Sequence, residues 1–241
     1  MAWIDPLNEE QPRKDLPNMV NRRKFVKALS TGAALLPALP IYAATKQGVI
    51  CSHAPAGPSA HLFPDVVVMN QFGQRMRFYN DLIKGKIVTI NFFFTQCEEL
   101  CPRLMANLVQ LQKRLGARVG KDIFMYSLTL DANYDTPRVL RAYAEKLGIG
   151  PGWELLTGDP ATLEILRKKM EFTDPDPALD KLKSAHTGLV RYGNEKLDRW
   201  AGCPGITRPA ELARRIALLE PPLHPQGKRI LDKNVLKYQS V

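Results

Sequence analysis

Apolar positions along the chain change period several times, and each change marks an element. "DVVVMN" (65–70) and "QRMRFYND" (74–81) flank Gly73 and predict a small β-hairpin. "KIVTINFFFT" (86–95) is a continuous apolar run without helical period, which suits a central strand covered on both faces. The period then becomes helical. In "CEELCPRLMANLVQLQKRL", Leu104, Leu108, Leu111 and Leu115 fall on one stripe, and Pro102 fits a first turn, where a missing N–H is no loss. "DIFMYSLTLD" (122–131) predicts a second core strand. "DTPRVLRAYAEKLG" (135–148) predicts a helix capped at Asp135 or Thr136, opened by Pro137 and closed by Gly148. A short strand "WELLTG" and a helix over 159–170 follow. Residues 171–186 read as an irregular loop, 187–200 as a hairpin turned at Gly193-Asn194, and 208–220 as a final helix.

Strands alternating with helices predict an α/β domain whose sheet contains parallel strands and is flanked by helices. The expected architecture is a thioredoxin-like central sheet with an N-terminal β-hairpin and a late β-hairpin insertion. The domain spans 62–220, after an extended Gly/Pro/Ser/Ala-rich lead-in at 45–61 and before a surface tail at 221–241.

Residues 1–44 have a different character. "NRRKFVK" (21–27) resembles a twin-arginine export signal, and the mildly apolar stretch after it ends in small residues near Ala43 and Ala44. We read this segment as an exported leader, with an uncleaved anchor as the alternative. Either places the domain in, or facing, the periplasm, where thiols meet an oxidising compartment. Of the net charge of +10, +8 remains outside the leader. It suits an acidic partner or an anionic membrane face. No arginine-rich arm or aromatic-interleaved basic run is present, which argues against nucleic acid.

The chemistry concentrates in "NFFFTQCEELCP" (91–102). Cys97 and Cys101 are four residues apart where the first core strand meets its helix, a spacing that turns both side chains to one face about 5–6 Å apart. A helix N-terminus favours thiolate, while Glu98 and Glu99 oppose it. The pair can close a disulfide or bridge an ion. CxxxC has a wider bite than CxxC, and two thiolates prefer Cu(I). An added imidazole extends the site to Cu(II). Of the histidines at 53, 61, 186 and 224, His186 is the best candidate, because it ends the irregular loop just before a hairpin.

Three ordered blocks, "FFFTQCEELCP", "LTLDANYDTPRVLRAYAEKLG" and "HTGLVRYGNEKLDRW", resemble the Sco/SenC family of copper proteins. The resemblance implies a thioredoxin-like fold and copper, as Cu(I), Cu(II) or both, held by Cys97, Cys101 and His186. It implies a metallochaperone assisting assembly of the binuclear copper centre of cytochrome c oxidase, with an oxidase subunit as the receiving partner. Asp131 matches the family's Asp after the second core strand, where it can orient groups near the dithiol. Two positions depart from the family pattern, Glu98 and Ala132 each replacing a usual Pro. The rival reading is a thiol–disulfide oxidoreductase that uses the Cys97–Cys101 couple to reduce a partner's cysteines and has no need of His186. Cys51 and Cys203 lie outside the resemblance, Cys203 in a predicted tight turn, and are candidates for a second disulfide tying the lead-in to the domain.

Overall fold

A computed structural model describes residues 56–183 and 187–220. The leader at 1–44, most of the lead-in and the tail at 221–241 lie outside the described residues.

Seven strands form one sheet in the order β2-β1-β5-β4-β3-β6-β7. Strands β3 (Ile87–Phe93), β4 (Ile123–Thr129) and β5 (Trp153–Thr157) run parallel at its centre. On one side β1 (Val67–Asn70) and β2 (Arg75–Arg77) form the expected hairpin. Residues 78–81, expected as strand, instead belong to a π-helical turn (Phe78–Ile83) that buries Phe78, Tyr79, Leu82 and Ile83. On the other side β6 (Leu189–Asn194) pairs antiparallel with β3, and β7 (Arg199–Pro204) pairs antiparallel with β6.

The period-2 geometry of β3 sorts its residues between two cores. Val88, Ile90 and Phe92 face one side, and Phe93 faces the other. On the Phe93 side lie α1 (Leu100–Leu115), α2 (Pro137–Leu147) and α5 (Pro209–Ala217). Leu104, Leu108, Leu111 and Leu115 of α1 are all buried there, each contributing roughly 2 kcal/mol of apolar burial. The opposite side is covered by α3 (Pro160–Lys169), the π-helical turn and Phe63, just past the lead-in. The 171–186 loop contains a short helix, α4 (Pro177–Asp180). Buried Arg167 fixes it, donating to Asp180 (2.5 and 2.8 Å), to Glu164 and to the Phe172 carbonyl.

A polar thread crosses the centre of the sheet. Trp153 Nε1 donates to Ser127 Oγ (2.9 Å), which donates to Asn91 Oδ1 (2.7 Å), linking β5, β4 and β3. Slipping either pairing by one residue would leave these buried groups without partners, so the thread pins the register.

The late hairpin does not turn at Gly193-Asn194. Those residues pair with Val88 and Ile87 inside β6, and the turn falls at 195–198 with Asp198 in the left-handed region (φ 47°). Gly193 is there for space: a Cβ would sit 2.2 Å from the Trp200 ring. The turn receives the lead-in. Ser59 Oγ donates to Asp198 (2.6 Å) and accepts from Trp200 Nε1 (2.8 Å), and Phe63 lies 4.4 Å from the Trp200 ring. Nearby, buried Glu195 accepts from the Tyr79 hydroxyl (2.6 Å) and the Gly85 N–H (2.7 Å).

Candidate functional site

The dithiol lies where β3 gives way to α1, anchored by Phe92 and Phe93 on opposite faces of the sheet. The sequence spacing suggests two cysteines on one helix. The structure differs, because α1 begins at Leu100 and Cys97 lies in the loop before it. The N-cap, Glu99, makes no side-chain capping bond. Its place is taken in part by sulfur: the Cys101 N–H donates to Cys97 Sγ at 3.3 Å. The Cys97 N–H closes a turn onto the Phe94 carbonyl (3.2 Å). Neither cysteine is in a disulfide.

The two thiols are unequal. Cys97 is half-buried, whereas Cys101 is fully buried within the α1 core. Burial pushes the Cys101 thiol well above the usual thiol range, and Cys97 adds to this while the Phe94 backbone opposes it. Tyr143 of α2 stacks 5.6 Å from Phe93 on the same side. Its phenol is pushed up to about 12 by burial, then by Cys101, Cys97 and Asp135. The arrangement presents one sulfur outward and holds the other inside. A soft cation that displaces a thiol proton fits it.

The loop from β4 to α2 packs against this junction. Asp131, the predicted supporting residue, pairs with Lys183 Nζ at 2.8 Å, and its N–H donates to Thr129 Oγ1 (2.8 Å). Asp135 has a role that sequence reasoning missed. The helix cap is Thr136, whose side chain accepts from the Val139 N–H (3.4 Å). Asp135 is instead fully buried, and its carboxylate accepts from the Thr95 N–H (3.1 Å), the Thr95 hydroxyl and the Thr129 hydroxyl (2.5 Å). The available signal was a second Asp beside a Thr that already sufficed as a cap.

His186 falls outside the described residues, with Ser184 and Ala185. Both flanks of that stretch are tied to the site. Lys183 is held by Asp131. Gly188 has a left-handed backbone (φ 56°), its carbonyl accepts from the Gly205 N–H (2.7 Å), and it packs so closely on Leu100 that a Cβ would lie 2.7 Å from Leu100 Cδ2. Among the described residues, no group of three or more His, Cys, Asp or Glu is arranged to hold a metal ion.

Cys203 is not in a tight turn. It lies in β7 opposite Val190, is 4% exposed, and faces the α1/α5 core. Its thiol is raised by burial, with a Thr207 hydrogen bond working against the shift. Cys51 lies outside the described residues. The described part of the lead-in packs through Ala60 on the opposite face of the sheet from Cys203. His61 is exposed, its Nδ1 3.2 Å from the Pro58 carbonyl. No helix among the described residues is long and apolar enough to cross a membrane.

Comparison with known proteins converges on one family. The sequence model described as SCO1/SenC matches residues 57–190, more than half of the chain. A SCO1 protein homolog of Bacillus subtilis is 32% identical over 90 residues, covering 37% of this chain and 45% of that protein. A SCO2-like protein of Rickettsia felis is 26% identical over 118 residues, 47% of this chain and 57% of that protein. The chain thus spans about half the length of the curated relatives it matches. Among solved structures, a SCO1/SenC family lipoprotein from Bacillus anthracis is similar with a TM-score of 0.55 at 22% identity, covering 65% of this chain and 94% of that one. Bradyrhizobium japonicum ScoI with copper bound gives 0.52 at 21% identity, covering 64% and 96%. At these identities the solved structures establish the thioredoxin-like fold.

Proposed function

The chain belongs to the SCO1/SenC family, and on that premise we propose that it is an exported copper metallochaperone whose cargo is held by Cys97, Cys101 and His186. The observation that carries the reading is the pair of sulfurs at the mouth of α1, outside any disulfide and linked through the Cys101 N–H. Two soft donors there suit Cu(I), and the imidazole adapts the site to Cu(II). What supports His186 is its tether: Gly188, two residues on, packs on Leu100 beside Cys101, and two residues of extended chain reach about 7 Å. The Asp131–Lys183 pair supports it from the other flank. The similar Bradyrhizobium protein has been solved with copper bound.

The receiving partner we propose is an oxidase subunit that builds a binuclear copper centre in the periplasm. Transfer proceeds by ligand exchange: the partner's donors replace those of the chaperone one at a time, and the half-buried Cys97 is the first to be approached. The lipoprotein character of the Bacillus anthracis relative supports work at a membrane surface, and the positive charge excess suits one.

Anaerobic titration of the reduced protein with Cu(I) tests the reading. Cys97→Ala and Cys101→Ala should each abolish tight binding, and His186→Ala should weaken it by at least about tenfold, the scale of losing one partner at a metal site. Unchanged affinity on loss of either cysteine rejects the site.

The inequality of the two thiols favours a second reading, in which Cys97 attacks a partner disulfide and buried Cys101 resolves it. His186→Ala separates the two: full partner reduction with lost copper binding supports the redox role.

A further inference from the structure

We infer that Asp135 is the positioning residue of the cysteine loop, setting both copper affinity and the dithiol–disulfide balance without touching either sulfur. Burying a carboxylate is costly unless its oxygens are satisfied. A fold that needed only a helix cap already has Thr136. Asp135 is nevertheless fully buried, and its oxygens are spent on loop residues.

The pattern of donors points to the purpose. Both polar groups of Thr95, the backbone N–H and the hydroxyl, go to this one carboxylate, one to each oxygen. That grip fixes the backbone and the side-chain rotamer of a residue two positions before Cys97. Thr129 adds a third bond from the end of β4, whose Cα partner on β3 is Phe93. The carboxylate is itself set by a tight turn, in which the Asp135 N–H donates to the Asp131 carbonyl (2.8 Å). On the far side of Thr95 the bonds continue, from the Cys97 N–H to Phe94 and from the Cys101 N–H to Cys97 Sγ. An unbroken path of hydrogen bonds and peptide links therefore joins a buried carboxyl group to the outward sulfur. A loop held this way enters metal binding already ordered, and less conformational freedom is lost on binding.

The copper side of this inference rests on the proposed function, while the disulfide side does not. Two measurements are therefore made on each variant: anaerobic Cu(I) competition against a chromogenic chelator, and equilibration with dithiothreitol. In the second, two electrons and two protons pass from dithiothreitol to the Cys97–Cys101 disulfide, giving two thiols and cyclic oxidised dithiothreitol. The variants are Asp135→Asn, Thr95→Val and Thr95→Ser, each checked by circular dichroism for a cooperative melt. Asp135→Asn should lower Cu(I) affinity by about 10–100-fold, as loss of an orienting partner does, and move the dithiothreitol equilibrium by about tenfold. Thr95→Val, which loses only the hydroxyl, should shift both in the same sense by less. Thr95→Ser keeps both donors and should stay within about twofold of the parent on the scale of one hydrogen bond. If Asp135→Asn does not fold, the two Thr95 variants carry the test alone. Wild-type affinity and equilibrium in Asp135→Asn, or in Thr95→Val, overturn the inference. A parent protein that binds no Cu(I) overturns the proposed function, and the dithiothreitol measurement then decides the role of Asp135 alone.

Discussion

Replacing Gly188 by alanine tests whether the turn beyond His186 is seated as described. Two costs add. The backbone at Gly188 is left-handed (φ 56°), a conformation that costs an L-residue about 1 kcal/mol. The new Cβ would lie 2.7 Å from Leu100 Cδ2 and 3.4 Å from Cδ1, inside the carbon–carbon optimum of about 3.5–4.0 Å. Leu100 is only half-buried, so its end can swing away, at about 1 kcal/mol for an off-rotamer side chain. The sum of about 2 kcal/mol corresponds to a fall in Tm of about 4–8 °C for a domain of this size. Leu100→Ala removes the obstructing methyls. The double variant Gly188→Ala/Leu100→Ala should therefore cost about 1 kcal/mol less than the two single changes added together. Thermal melts by circular dichroism, with urea titrations for the free energies, measure all four proteins. A Gly188→Ala protein that melts within 1 °C of the parent, or strictly additive single and double variants, refutes the packing argument.

Alkylation of the reduced native protein by iodoacetamide, mapped by peptide, should mark Cys97 at least about tenfold faster than Cys101 or Cys203, both of which are buried with raised thiol pKa values. Equal labelling of Cys203 and Cys97 contradicts the placement of β7. The Arg167 hydrogen bonds, aided by the Asp174 N–H, hold the Asp180 carboxyl well below the usual carboxylate range. With its folded pKa depressed, Asp180 adds stability that is fully present above about pH 5 and is lost as pH falls below about 4. Asp180→Asn should lower the urea midpoint at pH 7 and flatten its decline between pH 4 and 2.5, and an unchanged acid slope counts against the clamp. Tyr79→Phe deprives buried Glu195 of one of its two donors and should cost about 1–3 kcal/mol. A melt unchanged within 1 °C shows that the pair carries no stability.

The elements that were legible in advance are those whose pattern is local. The apolar run at 86–95 became β3, the α1 stripe is buried as spaced, and the Pro-opened helices α2, α3 and α5 start within two residues of their signals. The failures depend on contacts far along the chain. Gly193-Asn194 looks like a turn, yet Gly193 is in the strand because Trp200 needs the space. Residues 78–81 read as the end of the strand "QRMRFYND", yet they coil where the Tyr79 hydroxyl finds a carboxylate 116 positions later. The same division runs through the site. The cysteine pair was visible from its spacing. The position of Cys97 ahead of the helix and the grip of Asp135 on Thr95 were not, since Asp135 beside Thr-Pro reads as a cap until the loop that it holds is in view.

The lead-in docks at the turn between β6 and β7, beside the start of β3, where Glu195 bonds to Lys86. The cysteine loop leaves the other end of that strand, about 20 Å away for seven residues. The described stretch around Ser59 therefore attaches at the end of β3 remote from the dithiol, away from the mouth of α1.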